Sequence, residues 1–506
     1  MKGGINVEQY YKKITSLDLG AIARELLSSR ITHESGTDIF IDCPHHQSKS
    51  KRSFHVSLHQ GFWYCFGCGV GGDIIQFVEF VNHGQVSRGG NGVMSPSHRA
   101  ARDWLAAKLG MPPMSTAGMS DSEIAASERA RQEAEGAFAV LTAIAQIYRD
   151  RLKAHPEIQQ WIVKKYGIRE ATIDDLRIGW ADERNLFPIL QSKGFDPKTI
   201  LSSGAFTIDS QDNPHPFFDR RVVFPYWSSG RVVYLIGRRT PWSSESEHEM
   251  AKYKKLPIRN DRTHIYVARA IDNSVLFGED VLKTHPENVI LTEGVTDAIA
   301  AAQAGFPTIS PVTVRLRKED VDRVAKRLRG TKTVYLVHDE ELSGIGLDAA
   351  LDTARALGNE QITCKIATIP LGEPQKKARA EFDTLIGAAA AAEYSRTPAL
   401  KRSVLLKKIL ANEPEKIKIA ERLAGDAKID VAEWFAAGGT AEDFKLILDA
   451  AREPIEVAID LAPKVEDQVK QVELLEPILR QLGNLRPAAK DKAIKRLNTQ
   501  TNFNNL

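Results

Sequence analysis

Residues 42–72 read DCPHHQSKSKRSFHVSLHQGFWYCFGCGVGG. This stretch holds three of the four cysteines in the chain, with a histidine pair between the first and the other two. Cys43 and His46 stand in C-x2-H spacing, Cys65 and Cys68 in C-x2-C spacing, and eighteen residues separate the pairs. Each x2 turn brings two donors to one point, and a hairpin-length spacer joins the points. Three thiolates and one imidazole can then surround one ion tetrahedrally, a donor set that favours structural zinc over iron–sulfur. His45 competes with His46, and the tighter Cys-x-His spacing favours His46. Four protein ligands leave no open position, so the zinc is expected to hold structure rather than do chemistry. The spacer carries Lys49, Lys51 and Arg52, followed by short alternating strands with Phe54, His55, Phe62, Trp63 and Tyr64. Basic groups attract phosphates and aromatic faces stack on unpaired bases. Aromatics also dominate small cores, which is the better reading of any one ring alone. Taken together, Lys51, Arg52 and Trp63 are expected to contact nucleic acid.

The remaining chain sets the context. Its 506 residues predict about three domains at roughly 100–200 residues each. A net charge of +3 says nothing about partners by itself. Four cysteines do not make a disulfide scaffold, and Cys364 in ITCKIATIP reads as a packed strand residue. The opening MKGGINVEQYYKK has no apolar core of a signal peptide, and no uncharged apolar window reaches membrane-spanning length. A cytoplasmic location is expected.

Along the chain, the cysteine segment lies within a first domain, 1–110, flanked by helical patterns. Residues 111–127, MPPMSTAGMSDSEIAAS, read as a linker. A long helical pattern from 128 leads into RRVVFPYW, GRVVYLIGRRT and HIYVARA, read as strands, with a hairpin turn at WSSGRV. This basic region, 128–280, is expected to be α+β. From 281 to 454 strands alternate with helices, which predicts βαβ units on a parallel sheet. A helical insertion, 371–425, interrupts that rhythm, and 455–506 reads as a helical tail. The expected fold is therefore multidomain, α+β and α/β.

Residues 219–262 hold ten lysines and arginines against five acids, so this stretch carries a larger positive excess than the whole chain. Its arginines punctuate strands and can line a rigid groove for phosphates. Further on, VILTEGVTDAIAA ends a strand in Glu293 and places Asp297 in the first turn of the next helix. TVYLVHDEELSG ends a second strand in Asp339 with Glu341 two residues on, and KIDVAEWF adds Asp430 and Glu433. Ligands of open α/β sheets bind beyond the carboxyl ends of the strands. Carboxylates gathered there repel unless a hard cation such as Mg2+ holds them. Helix N-terminal charge is the competing reading for Asp297.

With these three regions in order, the chain resembles bacterial DnaG-type DNA primases over about residues 30–450. The cysteine segment, including WYCFGCGVGGDIIQFV, looks like the primase zinc ribbon. FFDRRVVFPYWSSGRVVYLIGRR resembles the basic half of the primase core, with Arg221, Arg231, Arg238 and Lys252 on the family's basic positions. TEGVTD and HDEE resemble the E-G-x-x-D and D-x-D motifs of the TOPRIM fold. The resemblance implies RNA primer synthesis on single-stranded DNA from ribonucleoside triphosphates, of a kind a phage, plasmid or other mobile element can carry. It implies catalytic roles for Glu293, Asp339 and Glu341, and Mg2+ or Mn2+ held among Glu293, Asp297, Asp339, Glu341 and Asp430. Glu341 stands where the family has aspartate, the third acidic motif is reduced to Asp430 and Glu433, and the family's lysine near the end of the basic half is not found. No P-loop motif occurs, so a separate replicative helicase is an expected partner. A TOPRIM nuclease or topoisomerase-like strand cutter, and a catalytically weak single-strand-binding replication factor, are the alternatives.

Overall fold

The computed structural model describes residues 7–47, 52–87, 95–114, 121–258, 266–313, 315–397, 399–462, 475–476, 478–479, 482–483 and 487–501. The chain forms two compact units, Met1–Arg129 and Ala130–Leu506.

In the first unit, strands β1 (Ile31–Glu34), β2 (Asp38–Ile41), β3 (Phe54–Ser57), β4 (Phe62–Cys65) and β5 (Val70–Gly72) form an antiparallel sheet in sequence order. Side chains alternate across β4, with Trp63 and Cys65 inward and Phe62 and Tyr64 outward, as the two-residue period of a strand requires. Trp63 stacks on Phe80 of the helix Ile74–His83, with ring centroids 5.0 Å apart. That helix begins in a capping box between Asp73 and Gln76 and ends at Gly84, whose φ of 71° suits a residue without a Cβ.

In the second unit, after the helices Asp121–Lys153, Pro156–Tyr166 and Glu170–Leu176, come the strands β6 (Gly179–Trp180), the hairpin β7 (Phe206–Ile208) and β8 (Pro214–Pro216), then β9 (Arg221–Ser228), β10 (Arg231–Arg239) and β11 (Tyr253–Lys255). The main antiparallel sheet runs β11-β10-β9-β6. Ser229 and Gly230, both with positive φ, make the β9–β10 turn, the backbone that a two-residue hairpin of matching twist needs. A parallel sheet follows from β12 (Asn288–Thr292), β13 (Thr308–Ile309), β14 (Thr333–His338) and β15 (Cys364–Thr368), in the order β13-β12-β14-β15. Strands are added on both sides of β12, so the chain changes direction there, and the crevice at the carboxyl ends of β12 and β14 is a natural ligand position. The strands expected from the alternation of apolar runs and helices are present, and β13, in FPTIS, is one more.

The insertion consists of the helices Glu373–Ile386, Ala388–Arg396, Ala399–Ile409 and Pro414–Asp426. They bury their own core of Phe382, Ile386, Tyr394, Leu406, Leu410, Ala420 and Leu423. The helices Pro454–Asp460 and Pro487–Thr501 share another, with Ile459 and Leu497 fully buried. Among the described residues, no helix is long and apolar enough to cross a membrane.

Two expectations change. The composition of 111–127 predicts a linker throughout, but a helix starts at Asp121 and runs to Lys153. Its run of Ala, Glu, Arg and Gln favours helix, and acids sit in its first turn. HIYVARA is not a strand where it is described: Tyr266 is exposed and Ala268 donates its N–H to the Ser202 carbonyl rather than to a ladder.

Candidate metal centres and basic surface

Cys43 lies just past β2, Cys65 ends β4, and Cys68 sits in the turn before β5. Because β2, β3 and β4 are neighbours, these positions meet with His46. One donor atom from each of the four residues lies within 4.8 Å of all the others. His46 Nδ1 is 3.1 Å from Cys68 Sγ and 3.6 Å from Cys65 Sγ, and Cys43 Sγ is 3.9 Å from Cys68 Sγ. Zinc–sulfur bonds near 2.3 Å place tetrahedral donors roughly 3.8 Å apart, so the set fits a structural zinc ion. The Cys68 thiol is pushed up to about 12, first by burial and then by Cys65 and Cys43; thiols crowded this way need a cation to stay ionised. His46 is oriented by Ser53 Oγ, 3.0 Å from Nε2. A Cβ on Gly67 would fall 2.0 Å from that same nitrogen, so the CFGC turn needs glycine for the imidazole to close. His45 turns away, with Nε2 3.0 Å from the Val81 carbonyl and its ring against Phe80.

The aromatic readings separate by face. Trp63 is 0% exposed and donates Nε1–H to the Asp73 carbonyl at 3.0 Å. It is core, and the expectation that it touches nucleic acid is corrected: the inward face of β4 packs on a helix. The outward rings are Phe62, Tyr64 and Phe66, the last 68% exposed and 5.0 Å from Tyr64 by ring centroids. Phe66 was not singled out in the sequence, although its position one residue past the inward Cys65 carries the signal. Arg52 is exposed and lies 6.0 Å over the Phe40 ring. Lys51 and Lys49 fall outside the described residues.

In the second unit the acids gather as the strand ends predict. Glu293 follows β12 and Asp339 follows β14, and Glu293 Oε1 accepts the Asp339 backbone N–H at 3.2 Å. Asp297, 3% exposed in the first turn of the helix Val295–Gln303, accepts the Ala432 N–H at 3.0 Å. Asp430 caps the helix Val431–Ala436 by accepting the Glu433 N–H at 2.7 Å. Glu341 accepts the Gly346 N–H at 3.1 Å. Burial and mutual repulsion raise the carboxyls of Glu293, Asp297 and Asp339. Glu293 is pushed to about 8 by burial and then Asp339, and Asp297 goes well above the carboxylate range by burial, then Asp430 and Asp339. Two glycines make the room: a Cβ on Gly294 would lie 2.3 Å from Asp297 Oδ2, and one on Gly346 2.5 Å from Glu293 Oε1. Carboxylates held by backbone amides, with oxygens left over, suit a hard divalent cation.

No local pattern in the chain signals what braces this cluster. Lys428 Nζ lies 2.6 Å from Asp339 Oδ2 and 3.7 Å from Glu341 Oε2. From the insertion, Arg379 pairs with Glu340 at 3.0 Å. Arg402 donates to the carbonyls of Leu342 at 2.6 Å, Ser395 at 2.8 Å and Thr397 at 2.8 Å. A cavity of about 510 Å3 lies between the acidic loop and these helices, with Glu341, Leu342, Arg379, Tyr394 and Arg402 on its walls.

The basic positions divide as well. Arg221 is 0% exposed, ion-paired with Glu247, and donates to the carbonyls of Ala251 at 3.1 Å and Lys252 at 3.2 Å. It holds β9 to β11 and is closed to a phosphate, which corrects that expectation. Arg238 is buried between the rings of Tyr166 and Tyr253, 4.8 and 5.1 Å from their centroids, and donates to Tyr253 Oη at 2.5 Å. It and the exposed Lys252 lie within electrostatic reach of Asp430. Arg231 is exposed over Phe138.

The first unit thus carries a four-donor Cys/His ribbon, and the second a parallel sheet with acids clustered at the carboxyl ends of its strands. Residues 12–88 match the CHC2 zinc finger family, and residues 147–260 match the N-terminal domain of the DNA primase catalytic core. The chain is 27% identical over 354 residues to the DNA primase of Streptomyces coelicolor, covering 68% of this chain and 50% of that one. It is 24% identical over 361 residues to the DNA primase of Helicobacter pylori, covering 67% and 58%. The chain therefore spans little more than half the length of these relatives. Among solved structures, it is similar to the zinc-binding and RNA polymerase domains of the Aquifex aeolicus primase, at 18% identity and a TM-score of 0.49, covering 97% of this chain and 96% of that one.

Proposed function

We propose that this chain is a DNA primase that synthesises short RNA primers on single-stranded DNA. The observation that carries the reading is the convergence of Glu293, Asp297, Asp339, Glu341 and Asp430 beside the basic β9–β11 sheet, in a chain that also bears a CHC2 zinc finger. In this reading Asp339 and Glu341 hold Mg2+ or Mn2+, and Glu293 holds a second ion or takes the proton of the attacking hydroxyl. Asp297 and Asp430 complete the donor set. The divalent cation would activate the 3′-hydroxyl and neutralise charge on the departing pyrophosphate. The protein's own part is to fix the carboxylates on backbone amides and to present the exposed Arg231 and Lys252 toward a template–primer hybrid, with Arg238 adding charge from its buried place between Tyr166 and Tyr253. Phe62, Tyr64 and Phe66, with Arg52, offer stacking faces and charge to unpaired template bases. A separate helicase that exposes the template and a cytoplasmic location accompany this activity.

The test is incubation with single-stranded DNA, Mg2+ or Mn2+ and labelled ribonucleotides. New oligonucleotides support the reading, and Asp339→Ala should abolish them while DNA binding persists. Cleaved template would point instead to a TOPRIM nuclease, and neither product to a binding factor. Synthesis retained in Asp339→Ala would remove that residue from the site.

A further inference from the structure

Lys428 follows the last helix of the insertion and precedes Ile429, whose backbone exchanges two 3.1 Å hydrogen bonds with Glu340. That short bridge delivers the Lys428 side chain to the acidic loop. Three of the carboxylates in the cluster each have one oxygen tied to a backbone amide: Glu293 to Asp339, Glu341 to Gly346, Asp297 to Ala432. The second oxygen of Glu341, Oε2, faces the Lys428 ammonium at 3.7 Å, and Asp339 Oδ2 faces it at 2.6 Å. Arg238 and Lys252 lie within electrostatic reach of Asp430, and Lys252 of Lys428 as well. The ammonium therefore occupies the place from which a cation would bind Asp339 and Glu341 together.

We propose that Lys428 is a built-in counter-cation of the acidic cluster, which a divalent metal ion must displace in order to bind. A hard cation needs the same oxygens, and a positive ammonium left beside it would repel it strongly in a partly buried site. The lysine stem is flexible, and the side chain is 37% exposed, so it has a path outward. Lys428 would thus keep the loop assembled without metal and set the metal concentration at which the site fills. This inference rests on the metal-site reading above.

The test is Mn2+ binding to the zinc-loaded full chain, followed by the electron paramagnetic resonance signal of free Mn2+. Saturable binding by the natural protein that is lost in Asp339→Ala establishes the metal site. Its absence overturns that reading and this inference with it. Given the site, Lys428→Met and Lys428→Gln should each bind Mn2+ on the order of tenfold more tightly, while Lys428→Arg stays near the natural protein. Unchanged or weaker binding in the folded neutral variants overturns the inference while leaving the metal site intact. Two neutral side chains of different polarity, each checked for folding by circular dichroism with Mg2+ present, guard against loss of one variant.

Discussion

Neighbouring residues with similar side chains have opposite fates in this protein. Trp63 and Phe66 are three positions apart, yet the first is sealed in the core and the second is largely open. Trp63→Ala should cost about 3–5 kcal/mol of stability, the usual range for a large aromatic removed from a core. Phe66→Ala should leave the melting temperature nearly unchanged and weaken single-stranded DNA binding by about 1–3 kcal/mol if it stacks on a base. Thermal melts and binding titrations of both variants separate the two roles. A polar residue in the same unit makes a pH prediction. Glu79 is fully buried, and burial alone would raise its carboxyl. Hydrogen bonds from Ser87, Ser97 and Ser95 outweigh that and hold it near 2. A carboxyl lowered in the folded state adds stability above its unfolded value of about 4.3, and that stability is lost as pH falls toward 2. Urea unfolding of the natural protein and of Glu79→Gln should therefore converge between pH 4 and pH 2, and a difference that persists at pH 2 would refute this role. Of the basic residues, the sequence could show that Arg221 and Arg238 lie on strands. It could not show that Arg221 faces Glu247 inside the sheet, because both faces of β9 are covered.

At the scale of elements, the loop after β14 is the decisive piece. It carries Asp339 and Glu341, and it is held by the sheet on one side and the insertion on the other through Arg379 and Arg402. The insertion was readable as helical from its composition, but its purpose was not, because its contact with the loop joins residues sixty positions apart. Arg402→Met removes three hydrogen bonds from a charged donor, and should cost on the order of 2 kcal/mol. Hydrogen exchange at the amides of Leu342–Gly346 should rise more than in the parallel sheet, and equal rises in both would refute a local brace. Gly346→Ala is the complementary change. Its Cβ would meet Glu293 Oε1 at 2.5 Å, so Mn2+ affinity should fall clearly more than stability does. An affinity equal to that of the natural protein would remove Gly346 from the site.

At the scale of the molecule, the two units have separate cores, one around Trp63 and Phe80 and the other around the sheets of the second unit. The four candidate zinc donors all belong to the first. Chelation should abolish the unfolding transition of the first unit in a calorimetric scan and leave that of the second in place, because metal binding is part of the folding energy of a small metal domain. One transition shifting as a whole would contradict this. The spacing of Cys43, His46, Cys65 and Cys68 was legible without the fold, since x2 turns and a hairpin act over a few residues, and the structure gathers their donor atoms within 4.8 Å of one another. The parallel sheet and its acidic strand ends were equally legible, since alternating strands and helices leave few topologies. The packing of distant segments sets which of the aromatic and basic side chains are buried, that Lys428 stands against Asp339 and Glu341, and that the insertion braces the acidic loop. Those facts depend on packing between segments far apart in the chain, and periodicity and local spacing carry no information about which distant side chain fills a given space.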